Sequence, residues 1–546
     1  MRKIPYTLFA MLLFAMPLHA QVEKQVEVTK TYIPTVPQVD KPILKAEVAD
    51  TAYINPDVDY SITPLSINTQ LQSKSINPAT ITYWEFNKPS LAQVKIGAGL
   101  PLNSLLQAHV SGQNADIGYL AASLRHRANY SDLESASGEM VNATELLNCA
   151  SVAGGLYFGA RTLEGELSYS NDSYSRYAFK QLNSSKVNYQ DIDVALRFGD
   201  SFVDLRKFNF SIDGAYSRFI DRDSEATNTT KFGFNFGQNS SLGNVIFGVN
   251  YKYIDAGKSY SNGTASAYAS IYDSYAMWQV ELGALYYFDQ TSINEVATPH
   301  HYLIPRVLIK GNSISLFSPF VEIGGSLTQN SFEQLARQNP YIMSGTVAKS
   351  SVEYNSMIGV ERGDSSGLFN VKGYLGYDIR PNYNYYQLHV VEQLGEVEES
   401  YFMLEQAKMN RFSINAVLDY SPISGLDLSF EGHIYSYNRS EDVDALNSLS
   451  KFECAVGAKY SHRKFGAALK AQYMSSRDYS VQYMGGDTTI ERLPSCVNLT
   501  ASFDWTLNDK VSLFVDGNNL LNQKLYPWVM YRGYGIEVTA GAKIKL

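Results

Sequence analysis

The last fourteen residues, GYGIEVTAGAKIKL (Gly533 to Leu546), carry the clearest pattern in the chain. Ile536, Val538, Ala540, Ala542, Ile544 and Leu546 fall on one parity, and Glu537, Thr539, Gly541, Lys543 and Lys545 on the other. A period of two puts the sets on opposite faces of a strand, and a helix does not accommodate it. An apolar face and a charged face that persist to the final residue suit a transmembrane barrel strand, with lipid on one side and a wet lumen on the other.

The same grammar recurs from Leu91 onward. Phe412, Ile414, Ala416, Leu418 and Tyr420 alternate with Ser413, Asn415, Val417 and Asp419. Leu426, Leu428, Phe430 and Ile434 alternate with Asp427, Ser429, Glu431 and His433. Val497, Leu499, Ala501, Phe503, Trp505 and Leu507 alternate with Asn498, Thr500, Ser502, Asp504 and Thr506. Phe232 to Phe236, Val245 to Tyr253 and Trp278 to Tyr286 repeat the pattern in the first half. With its flanks, each segment has the reach of roughly ten residues that a tilted spanning strand needs.

Working back from the C-terminus, short connections at Asn508 to Lys510, Ser424-Gly425, Gly363 to Gly367, Gly311 to Ser313 and Ser241 to Gly243 alternate with long ones at 333–344, 381–399, 439–448 and 483–494. The reading is an all-β, antiparallel barrel of about 22 strands over 91–546, or 20 if the strands near 91–101 and 103–113 do not both form around Pro101. Ser331-Phe332-Glu333-Gln334 has capping-box spacing and predicts a short helix before Pro340.

Residues 21–90 break the pattern. They hold Pro34, Pro37, Pro42, Pro56, Pro64, Pro78 and Pro89 and no glycine, which predicts an extended, irregular path. That segment is a periplasmic arm, or it enters the barrel on Ile81, Tyr83, Trp84 and Phe86, with 60–90 inside or at the mouth and 21–45 free. Residues 1–20, with Arg2 and Lys3 ahead of an apolar run ending Leu18-His19-Ala20, read as a secretory signal too short to span a membrane.

Composition sharpens the class. The 40 tyrosines and 26 phenylalanines fit aromatic girdles, and no later stretch approaches eighteen consecutive apolar residues, which excludes helical spans. A secreted β-sandwich is the competing class. Losing Arg2 and Lys3 with the signal moves the formal charge from -9 to -11, which argues against nucleic acid as a partner. Cys149, Cys454 and Cys496 have neither disulfide-framework nor metal spacing.

Catalytic chemistry is not evident. Gly363-Asp364-Ser365-Ser366-Gly367 matches the letters of a nucleophile elbow, but a strand follows where the elbow needs a helix. His300-His301 beside Pro299 reads as a solvated pair in an outer loop. No motif calls for a cofactor or metal. Tyr383, Tyr385 and Tyr386, in the loop 381–399 with Glu392, Glu396, Glu398 and Glu399, are the candidate ligand-stacking aromatics.

Two resemblances follow from these residues. Thr539-x-Gly541-x-x-Ile544-x-Leu546 resembles the C-terminal signal by which outer-membrane barrels are recognised for assembly, which implies the barrel-assembly machinery and outer-membrane lipid as partners. Residues 511–546, with Asn518, Asn519, Leu520, Leu521, Asn522, Gln523, Lys524 and Tyr526, resemble the end of TonB-dependent receptors. Val26-Glu27-Val28-Thr29 is similar to a TonB box, the segment that pairs with TonB by strand addition. The resemblance implies an outer-membrane barrel engaged in solute uptake. Two departures stand against it: the chain ends in Leu546 rather than an aromatic residue, and no Gly-rich plug precedes Leu91. The alternative is a scaffold barrel in an outer-membrane complex, its lumen filled by its own N-terminal arm or a partner.

Overall fold

The computed structural model describes residues 91–546 other than 181–185, 276, 312–316, 364–366, 394–395, 440–448 and 484–487. The signal, the Pro-rich segment with Trp84, and Val26 to Thr29 lie outside the described residues.

Twenty-two antiparallel strands close into one barrel. The first eleven are β1 (Ala92–Leu100), β2 (Asn103–Asn114), β3 (Gly118–Asn129), β4 (Glu145–Phe158), β5 (Arg161–Ser175), β6 (Lys186–Asp200), β7 (Asn209–Asp221), β8 (Thr227–Ser240), β9 (Gly243–Ala256), β10 (Tyr260–Tyr275) and β11 (Trp278–Ile293). The remainder are β12 (Val296–Gly311), β13 (Ser318–Thr328), β14 (Ser351–Gly363), β15 (Phe369–Gln393), β16 (Glu396–Ile423), β17 (Leu426–Arg439), β18 (Phe452–Ser461), β19 (Phe465–Met474), β20 (Cys496–Asn508), β21 (Val511–Asn518) and β22 (Glu537–Lys545). Both strands flanking Pro101 form, which decides for 22 over 20.

Alternation decides the faces. Phe232, Phe234, Leu282, Ile414, Phe430, Phe503 and Trp505 are all exposed on the outer wall, an arrangement that fits lipid as the solvent. Their neighbours point inward: Lys543 meets Asp504 at 2.5 Å and Lys95 meets Asp516 at 3.0 Å across the lumen wall.

The closing seam joins β22 to β1, with Gly541 opposite Gly97 and Ile544 opposite Val94. A Cβ on Gly541 would lie 1.9 Å from the Ile96 carbonyl oxygen, so the close approach there requires glycine. Both ends of the sheet therefore reach one rim, the turn rim, where links are as short as Asn508-Asp509-Lys510-Val511. The opposite rim carries the long loops.

Two expectations about loops are corrected. His300 and His301 lie within β12, paired with Asp289 and Phe288 of β11, and not in a loop. Residues 381–399 are not a simple loop either. They belong to a hairpin in which β15 and β16 stay paired beyond the barrel wall, Tyr385 opposite Glu405 and Leu388 opposite Phe402.

Candidate functional site

The candidate site is the loop rim, and it is built around the connection 329–350. Ser331 caps the helix α1 (Phe332–Gln338), its hydroxyl accepting from the Gln334 N–H at 3.3 Å, as the capping-box spacing predicts. The apolar side of α1, Phe332, Leu335 and Ala336, is buried against Val187 and Tyr189 of β6 and Phe219 of β7. Those strands lie six to eight positions around the wall from β13 and β14, which carry the connection. The connection therefore enters the barrel mouth and docks on another part of its wall.

Polar contacts hold it there. Arg337 pairs with Asp191 and, at 3.3 Å, with Glu333, while the Tyr189 hydroxyl donates to the Pro340 carbonyl at 2.9 Å. Burial raises the Glu333 carboxyl above its usual range and lowers the Arg337 guanidinium. At the stems, the buried Asp289 carboxylate accepts from Thr264 at 2.7 Å, Ser350 at 2.9 Å, Thr291 at 3.0 Å and Asn262 at 3.1 Å. Gln329 adds a bond to Thr264 at 2.6 Å. Each donor is satisfied by a neighbour of fixed register, so the stems are pinned to the wall.

A second, aromatic core lies among the loops. Tyr341 of 329–350 stacks on Tyr531 of 519–536 with ring centroids 3.8 Å apart and planes at 17°. Tyr177, from the β5–β6 connection, meets Tyr531 edge-on at 5.0 Å. Phe402 of the β15–β16 hairpin joins them, with Ala143 from the β3–β4 connection and Tyr479, Val481 and Leu493 from the β19–β20 connection. In that last connection, strands Arg477–Tyr483 and Thr488–Leu493 form a hairpin, and Val481 pairs in parallel with Leu388. On a closed ring of 22, β5–β6 and β15–β16 stand ten positions apart, on opposite walls. The loops thus bridge the mouth, and Arg176 with Glu399 at 3.2 Å adds an ion pair along the bridge. Burial lifts the phenols of Tyr341 and Tyr177 well above the ordinary tyrosine range.

The three candidate aromatics belong to this lid. Tyr385 is buried, 1% exposed, with Tyr383 edge-on at 4.9 Å; the Tyr386 hydroxyl donates to Gln338 at 2.5 Å. They are built into the hairpin rather than displayed on a loop, because its flanking chains cover both of its faces. Thr539, Gly541 and Ile544 lie in the closing strand, and Leu546 bonds back to Ala92 just beyond it, N–H to carbonyl at 2.8 Å. His301 faces outward, its Nδ1 2.7 Å from the Tyr286 hydroxyl. Among the described residues no group of His, Cys, Asp and Glu is placed to hold a metal. Sequence reading did not single out Tyr177, Tyr341, Trp528 or Tyr531. The aromatic-rich run Tyr526-Pro527-Trp528-Val529-Met530-Tyr531, too long for a turn, was the available signal.

No protein-family model matches the chain, and no curated sequence matches it. Solved structures do share its fold. The FrpB iron transporter from Neisseria meningitidis superposes with a TM-score of 0.66 at 12% identity, over 84% of this chain and 82% of that one. The ferric-catecholate import receptor Fiu from E. coli K12 gives 0.64 at 9% identity, over 84% and 82%. The pyoverdine outer-membrane receptor FpvA from Pseudomonas aeruginosa gives 0.64 at 10% identity, over 84% and 79%. At these identities the likeness is one of fold: the chain shares the barrel architecture of these transporter and receptor structures.

Proposed function

We propose that the chain is an outer-membrane receptor-like barrel that captures or admits a solute, with the loop lid as its outer gate. The observation that carries the reading is the bridge across the mouth, Tyr341 and Tyr177 meeting on Tyr531. Barrels of 22 strands are too wide for their own side chains to fill, and a lumen of that width needs closure. In this reading residues 1–20 direct export, and Thr539, Gly541, Ile544 and Leu546 are read by the assembly machinery. Residues 60–90 close the lumen inside or at the barrel mouth, 21–45 stay free in the periplasm, and Val26 to Thr29 within them offer TonB a strand to pair with. FrpB, Fiu and FpvA are described as a transporter, an import receptor and an outer-membrane receptor, which supports transport as the shared task.

The packed lid also favours a second reading, a scaffold barrel whose mouth stays shut. Planar-bilayer conductance separates the two. The full chain should be closed, and a chain lacking 21–88 and shortened across 331–348 should conduct. Uptake by cells carrying the full chain, lost on deleting 26–29, supports energised transport. Absence of uptake, with conductance only in the doubly shortened chain, supports the scaffold.

A further inference from the structure

Below the lid the lumen wall holds a cavity of about 380 Å³, within the roughly 300–1,000 Å³ range of small-molecule sites. Asn250, Lys252, Thr264, Ser266, Tyr287 and Gln334 line it. Strand register explains the convergence. Lys252 stands opposite Thr264 and Asn250 opposite Ser266, while Ser266 stands opposite Tyr287, so β9, β10 and β11 present one inward patch.

The next strand adds a second cation, because Lys231 of β8 is directly opposite Lys252 on the same inward face. Like charges directly opposite one another destabilise a sheet. Among the described residues neither ammonium has a carboxylate within 4.0 Å. Glu333 is an acid close enough to act electrostatically on both lysines, and Asp213, opposite Gly233 two residues along β8 from Lys231, accepts from Asn235 at 3.3 Å. Glu333 is held by Arg337 at 3.3 Å, and Asp289 accepts the four hydrogen bonds that pin the loop stems. Asn250, Ser266 and the Gln334 amide make no side-chain hydrogen bond to the described protein, so donors and acceptors surround two cations that share Glu333 with Arg337.

We propose that this cavity binds a small polyhydroxylated oxyanion, a sugar acid or sugar phosphate. Its anionic group lies between Lys231 and Lys252, and its hydroxyls lie on Asn250, Ser266 and Gln334. A neutral sugar of the same size leaves the lysine pair with only the Glu333 carboxylate they share with Arg337 and is discriminated against. The proposal rests on the receptor reading for the arrival of a solute in the lumen, and it names that solute's class.

Full-length protein in detergent, titrated calorimetrically with sodium glucuronate and with glucose at matched ionic strength, tests it. Glucuronate should bind saturably and at least tenfold more tightly than glucose, and inorganic phosphate should compete. Lys252→Gln and Lys231→Gln should each weaken glucuronate tenfold or more while keeping the heat-modifiable band of a folded barrel. Lys252→Arg should retain most of the affinity. Equal binding of glucose, no saturable binding of glucuronate, or unchanged affinity in both glutamine variants would overturn the proposal. So would binding that emerges only after deleting 21–88, since the occupant would then be this chain's own N-terminal segment. Glucuronate binding in a protein that never transports would sink the transport reading and leave the site. Transport without anion preference would do the reverse.

Discussion

Replacing Tyr531 with alanine should open the lid while leaving the barrel folded. Tyr531 is fully buried, stacked on Tyr341 at 3.8 Å and met edge-on by Tyr177 at 5.0 Å, with Phe402 at 6.0 Å. Truncating a buried large aromatic costs about 3–5 kcal/mol, and each favourable ring pair contributes roughly 0.5–1.5 kcal/mol of such a total beyond area alone. A local loss of about 4 kcal/mol raises the open population of the lid nearly a thousandfold, at 1.4 kcal/mol per factor of ten. Hydrogen exchange read by mass spectrometry resolves this by segment. Peptides from 526–534, 388–402 and 477–483 should lose two to three decades of protection, while those from β8 to β11 keep theirs. Tyr531→Phe preserves the stack and should stay within about 1 kcal/mol of the parent. Lid peptides unchanged to within tenfold, or barrel peptides loosening in step, would refute the idea of a separately stabilised lid.

Gly541→Val should prevent seam closure, since its Cβ would fall 1.9 Å from the Ile96 oxygen and 2.6 Å from the Gly97 Cα; gels should show no heat-modifiable band. Deleting 544–546 removes the pairing of Ile544 with Val94 and the Leu546 bonds to Ala92, so the product should accumulate unfolded in the periplasm, as fractionation would reveal. The lid should also weaken in alkali. Burial raises the Tyr341 and Tyr177 phenols well above their ordinary value, so the neutral form is favoured in the fold. Their contribution is intact below the unfolded value of about 10 and is lost as the pH climbs beyond it. Lid protection, corrected for intrinsic exchange, should be flat from about pH 7 to 9 and fall above 10.

The wall was legible because a barrel strand has only two environments. An apolar outer face and a polar inner face impose a period of two that Phe503, Trp505 and Leu507 obey against Asp504 and Thr506. The helix α1 was legible from one cap, Ser331. The lid was not. Residues 381–399 read as loop in sequence because burial on both faces, with Leu388, Val390 and Tyr385 all hidden, erases the alternation that marks a half-buried strand. His300 and His301 were misplaced by their neighbour Pro299. Proline is tolerated there because β12 begins pairing with β13 only at Val307, which leaves Pro299 on an unpaired edge where its missing N–H costs nothing. Contacts such as Tyr341 on Tyr531, 190 residues apart in sequence, leave no local signal.

The width of the barrel and the design of the lid are linked. Closing a ring of 22 strands by loops rooted on a single wall would leave their free sides facing the opening, with apolar and backbone groups unmatched. Rooting them on opposite walls lets each loop bury the other, as Tyr177 from β5–β6 and Phe402 from β15–β16 do around Tyr531. The same bridge makes the lid a strut between the walls, so on the receptor reading proposed above a solute entering through the centre breaks the Tyr341–Tyr531 stack or displaces α1 from Tyr189 and Phe219. The two routes separate experimentally. If solutes pass through the bridge, Tyr531→Ala raises conductance in a chain lacking 21–88; if they pass beside α1, Phe332→Ala raises it instead.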